Sequence, residues 1–421
     1  NIGIPKVGYV SNNGQTWSNT TGNVRAAALV TGGMDNPTST TPALYVLDHF
    51  GIGYGTGGLR QTGVTPGTLI KEIPIGRSYT ATASTESTAA QLYAAHDGLT
   101  SVQAIDLNGD SIMDLAYAGD YKGNIWRFDL RGDVSTWKAR QIFQGTGTQP
   151  LTAEPNLAVY TENGKKIVGV YFGTGSTLYQ GDMTVNAPQS MYGVFDHVSD
   201  CAVDAAYSGV CAVAKKSDLI SQSLSGSHTA GYSITTSNTY SSNGDRRGFY
   251  LDTPSGYRII TTPEVVKVKG RSSYSLVWAI EYLDSSKSSS SNTCTPSSTT
   301  YGDYLITNAE TGDASKYVSW KSNTNSSIIS LPYTGTSSQL SLLTNTSTNS
   351  DGSASVLTST GTLNTTGGTL ASPDNPTTTT TSCSNTGVIA ATSSVSGIVS
   401  NTLTCDGTGP SIKRISWREI F

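Results

Sequence analysis

Charge is scarce in this 421-residue chain: Asp, Glu, Lys and Arg together make 13% of it, and the net charge is −4. Long surface helices need Glu, Lys and Ala, so this composition disfavours them. There is no run of Lys and Arg, which excludes an electrostatic footprint for nucleic acid or for anionic membrane surfaces. No stretch of about 18 apolar residues occurs, so no transmembrane helix is expected. The opening NIGIPKVGYV has neither the basic start nor the apolar centre of a signal peptide, and the chain reads as a fragment of something longer. Only four histidines are present, His49, His96, His197 and His228, far apart and in no metal-ligand spacing. No G-x-S-x-G elbow appears, so the chain is not expected to be an enzyme.

Cysteine is also sparse. Five are present, Cys201, Cys211, Cys294, Cys383 and Cys405, and no two form a CxxC pair. Cys201 and Cys211 bracket the short polar segment AVDAAYSGV and could close it as a disulfide; Cys383 and Cys405 are a second candidate pair. Cys294 is left over. The Ser/Thr/Gly-rich surface favours a secreted protein with disulfides over five free thiols in a cytosolic one.

What is abundant points to strands. The chain has 45 Gly and 22 Tyr, suited to many turns and to half-buried positions on pleated sheets. Apolar runs of four to eight residues recur, among them AAALVTGG from Ala26, ALYVLD from Ala43, GNIWRFDL from Gly123, KIVGVYFGTG from Lys166, SMYGVF from Ser190, EVVKV from Glu264 and YSLVWAIEYL from Tyr274. Each is too short for a helix and rich in strand formers. Several end in Asp or Asn before a turn, a loose repeat that suggests an all-β fold, a β-propeller of about seven blades over residues 1–421. A β-sandwich array is the competing architecture. Three segments read as insertions: GIGYGTGG from Gly51, a flexible loop despite its formal GxGxxG; residues 217–247; and a Thr/Ser-rich stretch at about 321–406. The closing SIKRISWREIF is strand-like and is expected to complete the first blade.

The sharpest chemical signal is SVQAIDLNGDSIMDLAYAGD from Ser101. Asp106, Asn108, Asp110 and Asp114 occupy positions 1, 3, 5 and 9 of a loop, and Ile112 at position 7 can give its backbone carbonyl. Three carboxylates, an amide oxygen and a carbonyl make the hard oxygen cage that calcium prefers. It is not an EF-hand: position 6 is Ser111 rather than Gly, position 12 is Tyr117 rather than Glu, and the flanks read as strands. Arg131, Gly132 and Asp133 spell an integrin-type tripeptide, more simply read as a blade turn. Asp284, Ser286 and Ser288 form DxSxS in a nearly all-Ser run, where chance is the better explanation.

Directly after the loop comes YAGDYKGNIWRFDL, from Tyr117. Loop and strand together resemble the C-terminal domain of the PilY1/PilC family, type IV pilus biogenesis factors and tip adhesins. LYVLD, LIKEIPIG, LTAEPNLAV, VYFGTGSTL, GFYLDTPSGYRIITTPEVV and ISWREIF follow the family's order across the chain. The resemblance implies a Ca2+ ion held by Asp106, Asn108, Asp110, the Ile112 carbonyl and Asp114, linked to control of pilus retraction and twitching. It also implies pilus components (pilin or minor pilins) as partners, host-surface adhesion, and an extracellular location at the pilus tip. A secreted lectin-like or carbohydrate-active propeller with structural calcium is the alternative.

Overall fold

The computed structural model describes residues 4–11, 24–32, 41–54, 60–61, 66–76, 97–179, 182, 185–240, 246–268, 273–282, 301–316, 318–320 and 327–334, with the backbone of short strands between 341 and 414. Among them there is no α-helix, only strands and short 3-10 turns. No described helix is long and apolar enough to cross a membrane.

Four large sheets follow one another along the chain. The first contains β1 (Lys6–Ser11), β2 (Val24–Thr31), β3 (Ala43–Tyr54), β4 (Arg60–Gln61) and β5 (Leu69–Pro74). The second contains β6 (Gln103–Ile105), β7 (Leu115–Gly119), β8 (Ile125–Asp129) and β9 (Lys138–Gln144). The third is built on β10 (Asn156–Glu162), β11 (Lys165–Gly173) and β12 (Ser190–Asp196). After β12 the chain runs through β13 (Ala214–Lys215), β14 (Ile220–Gln222), the hairpin of β15 (Leu224–Ser227) and β16 (Gly231–Ile234), and β17 (Gly248–Asp252). The fourth sheet contains β18 (Tyr257–Arg258), β19 (Glu264–Val268), β20 (Tyr274–Tyr282), β21 (Tyr301–Asn308) and, beyond β22 (Val318–Trp320), β23 (Ser330–Thr334). All seven apolar runs read as strands in the sequence are strands here.

Each consecutive pair of sheets shares one core. Ala116, Trp126 and Phe128 face Leu29, Leu44 and Val46 of the first sheet. From the same strands, Leu115, Tyr117 and Ile125 face Val168, Val170 and Phe172 of the third. Ile167, Tyr171 and Phe195 then face Leu276, Trp278 and Leu305 of the fourth. Because successive residues of a strand point to opposite faces, a strand covered on both sides must be apolar at nearly every position. That is why these runs are continuous rather than alternating, and this blade-on-blade order makes the molecule a β-propeller. Among the described residues stand four sheets of five or six strands and one of four, the last joining Val318–Trp320, Gly397–Cys405, Thr386–Ser393 and Ser341–Leu343.

Three expectations are corrected. Gly51–Tyr54 is not a free loop: it continues β3, with Gly53 opposite both Arg25 and Gln61. Backbone pairing does not require side chains, so a glycine run flanked by partners extends the sheet. The 217–247 segment is not wholly an insertion: Ile220–Gln222 pairs in parallel with β17, and Tyr232 on β16 is buried. The closing strand does not join the first sheet where it is described; Ile412–Arg414 pairs with β19, covering that strand's otherwise open edge. Within the Thr/Ser-rich stretch, Ser330–Thr334 pairs with β21.

Candidate functional site

The 106–114 loop is the connection of the β6–β7 hairpin, closed at its base by Ile105 opposite Leu115 and by the Asp114 N–H donating to the Ile105 carbonyl at 2.9 Å. The short polar residues coil it. Asp106 accepts from the N–H groups of Asn108 (3.1 Å), Gly109 (2.7 Å) and Ser111 (2.7 Å). Asn108 Oδ1 accepts from the Asp110 N–H, Asp110 Oδ1 from the Ile112 N–H, and Asp114 Oδ2 from the Leu107 N–H. These side-chain-to-backbone bonds replace the ladder that the strands have lost. Gly109 (φ +84°) and Ser111 (φ +68°) both lie in the left-handed region. Position 6, where related loops carry glycine, therefore adopts the glycine-type backbone although its residue is serine.

Asp114 is partly buried, and its carboxyl is pushed above the ordinary range first by that burial, then by the negative charges of Asp110 and Asp106, while the Leu107 N–H opposes the rise. The three carboxylates thus sense one another. Among the described residues, however, no three His, Cys, Asp or Glu side chains are gathered into a ready-made metal cluster. The donor types fit a hard cation, while the side chains are engaged with the loop's own N–H groups. On its inner side the loop is fastened to the first sheet: the Met113 N–H donates to the Tyr9 carbonyl at 2.8 Å, and Tyr9 bridges Ile112.

The strand pair after the loop explains its own residue pattern. Asp120, fully buried, accepts from the N–H groups of Lys122 and Asn124, from Asn124 Nδ2 and from Trp126 Nε1 at 2.8 Å. Asn124 in turn accepts from the Gly145 N–H. Gly123 sits at φ +86°, where a Cβ would lie 2.5 Å from the Gln149 carbonyl oxygen. Gly123→Ala is therefore expected to lower stability by about 2–3 kcal/mol, from backbone strain plus the clash; a denaturation midpoint within error of the parent would refute this.

Arg127 and Tyr117, on the face turned to the third sheet, converge on Asp196 at the end of β12. Arg127 Nη1 lies 2.9 and 3.0 Å from the two carboxylate oxygens, and the Tyr117 hydroxyl donates to Asp196 Oδ2 at 3.0 Å. Burial lowers the Arg127 pKa, but the Asp196 charge outweighs it and the net direction is upward. The Tyr117 hydroxyl is held far above its usual value by burial and by Asp196, so it stays protonated and donates. Sequence reasoning did not assign these roles; the one local signal was a charged residue inside the apolar run IWRFD.

The remaining expected residues are placed as follows. Arg131 turns back onto Asp129 (2.8 and 2.5 Å), and Asp133 caps the 3-10 turn Val134–Thr136 by accepting from Ser135. The tripeptide is thus a blade turn with both charged side chains locally engaged. Cys201 and Cys211 form a disulfide. Cys294, Cys383, His96, Asp284, Ser286 and Ser288 lie outside the described residues, and of Cys405 only its strand is described.

Residues 86–236 match the family described as the PilY1 beta-propeller domain. A type IV pilus biogenesis factor PilY1 homolog of Xylella fastidiosa (strain Temecula1) is 34% identical over 104 residues, covering 24% of this chain and 8% of that protein. Type IV pilus biogenesis factor PilY1 of Pseudomonas aeruginosa (strain UCBPP-PA14) is 33% identical over 131 residues, covering 24% of this chain and 11% of that protein. The matched part is thus about a tenth of the length of these relatives. The crystal structure of the Pseudomonas aeruginosa PilY1 C-terminal domain shares the fold, with a TM-score of 0.51 and 17% identity over 84% of this chain and 70% of that one. The matched residues hold the loop, its signature strands and the buried Arg127–Asp196 pair, so it is over residues 86–236 that the chain is similar to the PilY1 beta-propeller domain.

Proposed function

We propose that this chain is the calcium-binding propeller of a type IV pilus protein at the bacterial surface, acting by binding rather than catalysis in pilus biogenesis, retraction control and adhesion. The observation that carries the reading is the family match over residues 86–236, which contains the 106–114 loop. Pilus components, pilin or minor pilins, are its partners in this reading, and a host-surface receptor is a further one. Asp106, Asn108, Asp110 and Asp114 would hold the ion through side-chain oxygens and Ile112 through its carbonyl. A bound cation offsets the repulsion among three neighbouring carboxylates, which supports calcium over a bare Asx-rich loop. Magnesium is disfavoured because it keeps its waters and seldom accepts an all-protein cage.

Calorimetric titration after chelator treatment tests the assignment. The native chain is expected to take up one calcium ion with an affinity between about micromolar and millimolar, and the Asp110→Ala variant to lose it. Absence of binding to the native chain, or equal binding by the variant, would remove calcium from this loop. With binding established, the same substitution in the full-length protein should alter piliation or twitching.

A further inference from the structure

The disulfide-closed loop between β12 and β13 is seated on arginines. Arg127 Nη2 donates to the Cys201 carbonyl at 2.7 Å. Arg140 Nη1 donates to the Ala205 carbonyl at 2.6 Å and Nη2 to the Cys211 carbonyl at 2.7 Å, while its guanidinium lies 4.0 Å from the centre of the Tyr207 ring. Arg247 donates to the carbonyls of Gly209 and Ala212. Arg127 has Asp196 as counter-ion, but Arg140, 2% exposed, has no carboxylate at ion-pair distance among the described residues. The loop's carbonyls are its solvation shell, and burial pulls its pKa down.

The same segment crosses between blades. After the loop, Ala214 and Lys215 pair in parallel with Phe143 and Gln144 on the edge of the second sheet. The chain then turns and places Ile220, Ser221 and Gln222 in parallel with Phe249, Tyr250 and Leu251 on the edge of the third. Two of its arginine seats stand on the second sheet and the third precedes β17. Most residues of the loop are exposed, Tyr207 to 55%, so little apolar burial holds it shut.

We propose that residues 201–222 are a strap that ties the second blade to the third, kept closed by the Cys201–Cys211 bond and by carbonyl solvation of Arg140. Cys201 is 2% exposed and Cys211 is the more accessible partner, so a dithiol reductant would attack the Cys211 sulfur. The S–S bond breaks with Cys201 leaving as thiolate. The reductant's second thiol then resolves the mixed disulfide, so the chain gains two electrons and two protons and the reductant becomes a disulfide. The opened loop no longer presents its carbonyls in one arc, and Arg140 must admit water through the small cleft lined by Arg140, Asp196, Cys201, Cys211, Ala214 and Arg247.

Hydrogen exchange on the folded chain, with and without dithiothreitol, tests the strap. On reduction, amides of β9, β13 and β14 are expected to exchange at least about tenfold faster while those of β20 are unchanged. Unchanged exchange at β9, β13 and β14, or a uniform loss across all sheets, would overturn the proposal. Arg140→Lys, with the disulfide intact, keeps the charge but cannot reach both carbonyl groups. Its disulfide is expected to be reduced at least about tenfold faster than the parent's, and an equal rate would also overturn the proposal.

Discussion

Replacement of Arg127 by methionine is expected to destabilise the fold by about 3–5 kcal/mol, because it leaves Asp196 as a buried charge without its cation. The Arg127 side chain is 0% exposed and that of Asp196 4%. In the variant, Asp196 retains the Tyr117 hydroxyl, one neutral donor in place of an ion pair, and the Cys201 carbonyl loses its guanidinium donor. The cost of that substitution is mainly the penalty of the orphaned carboxylate, so it should shrink when the carboxylate is also removed. Asp196→Asn combined with Arg127→Met is accordingly expected to cost at least about 1 kcal/mol less than the two single changes added together. Denaturant unfolding of the four proteins in this cycle decides the matter. A single-variant loss below about 1 kcal/mol, or strict additivity, would show that the pair does not hold the two blades as described.

The second large effect is a pH dependence centred on the fourth sheet. Asp303 on β21 has a fully buried side chain; His228, at the β15–β16 turn, lies 3.0 Å from its Oδ2, while Oδ1 meets no donor among the described residues. Tyr232, Tyr257 and Tyr301 are the other titratable groups facing this pair. Burial raises the Asp303 pKa to about 6, against the opposing pull of His228. A carboxyl whose pKa is higher folded than unfolded contributes its stability in full below the unfolded value of about 4, and loses it as pH rises through about 6. Asp303→Asn removes that titration. Relative to the parent, the variant should therefore gain about 2 kcal/mol between about pH 4 and pH 7, read from unfolding midpoints at fixed ionic strength. A difference between the two proteins that stays constant over this window would mean that Asp303 is ionised without cost in the fold.

These two networks also show what the residue order could and could not reveal. The Asp120 turn is local, its partners Lys122, Asn124 and Trp126 all lying within six positions, although sequence reasoning assigned it no role. The hairpin setting of the 106–114 loop was legible: strand-like flanks enclose alternating Asx residues. Arg127 and Asp196 are 69 residues apart, and His228 and Asp303 are 75. Nothing near either member announces the other. The carbonyl seats of Arg140 are harder still to read, since an acceptor on the backbone leaves no mark in residue type.

Composition and local pattern by themselves determined that this chain builds many short strands, a coiled carboxylate loop at the head of one hairpin, and a short cysteine-closed loop. Each of those follows from interactions between near neighbours: strand propensity, turn chemistry, and side chains bonding to adjacent N–H groups. Tertiary structure alone decided which blades share a core, why the glycines at Gly51 and Gly53 extend β3, that Ile412–Arg414 joins β19, and that Arg127 meets Asp196 while Arg140 meets backbone carbonyls. Those outcomes depend on the stacking order of whole sheets. The free energy of such an arrangement comes from surfaces brought together across the fold, and each stretch of sequence specifies only its own half.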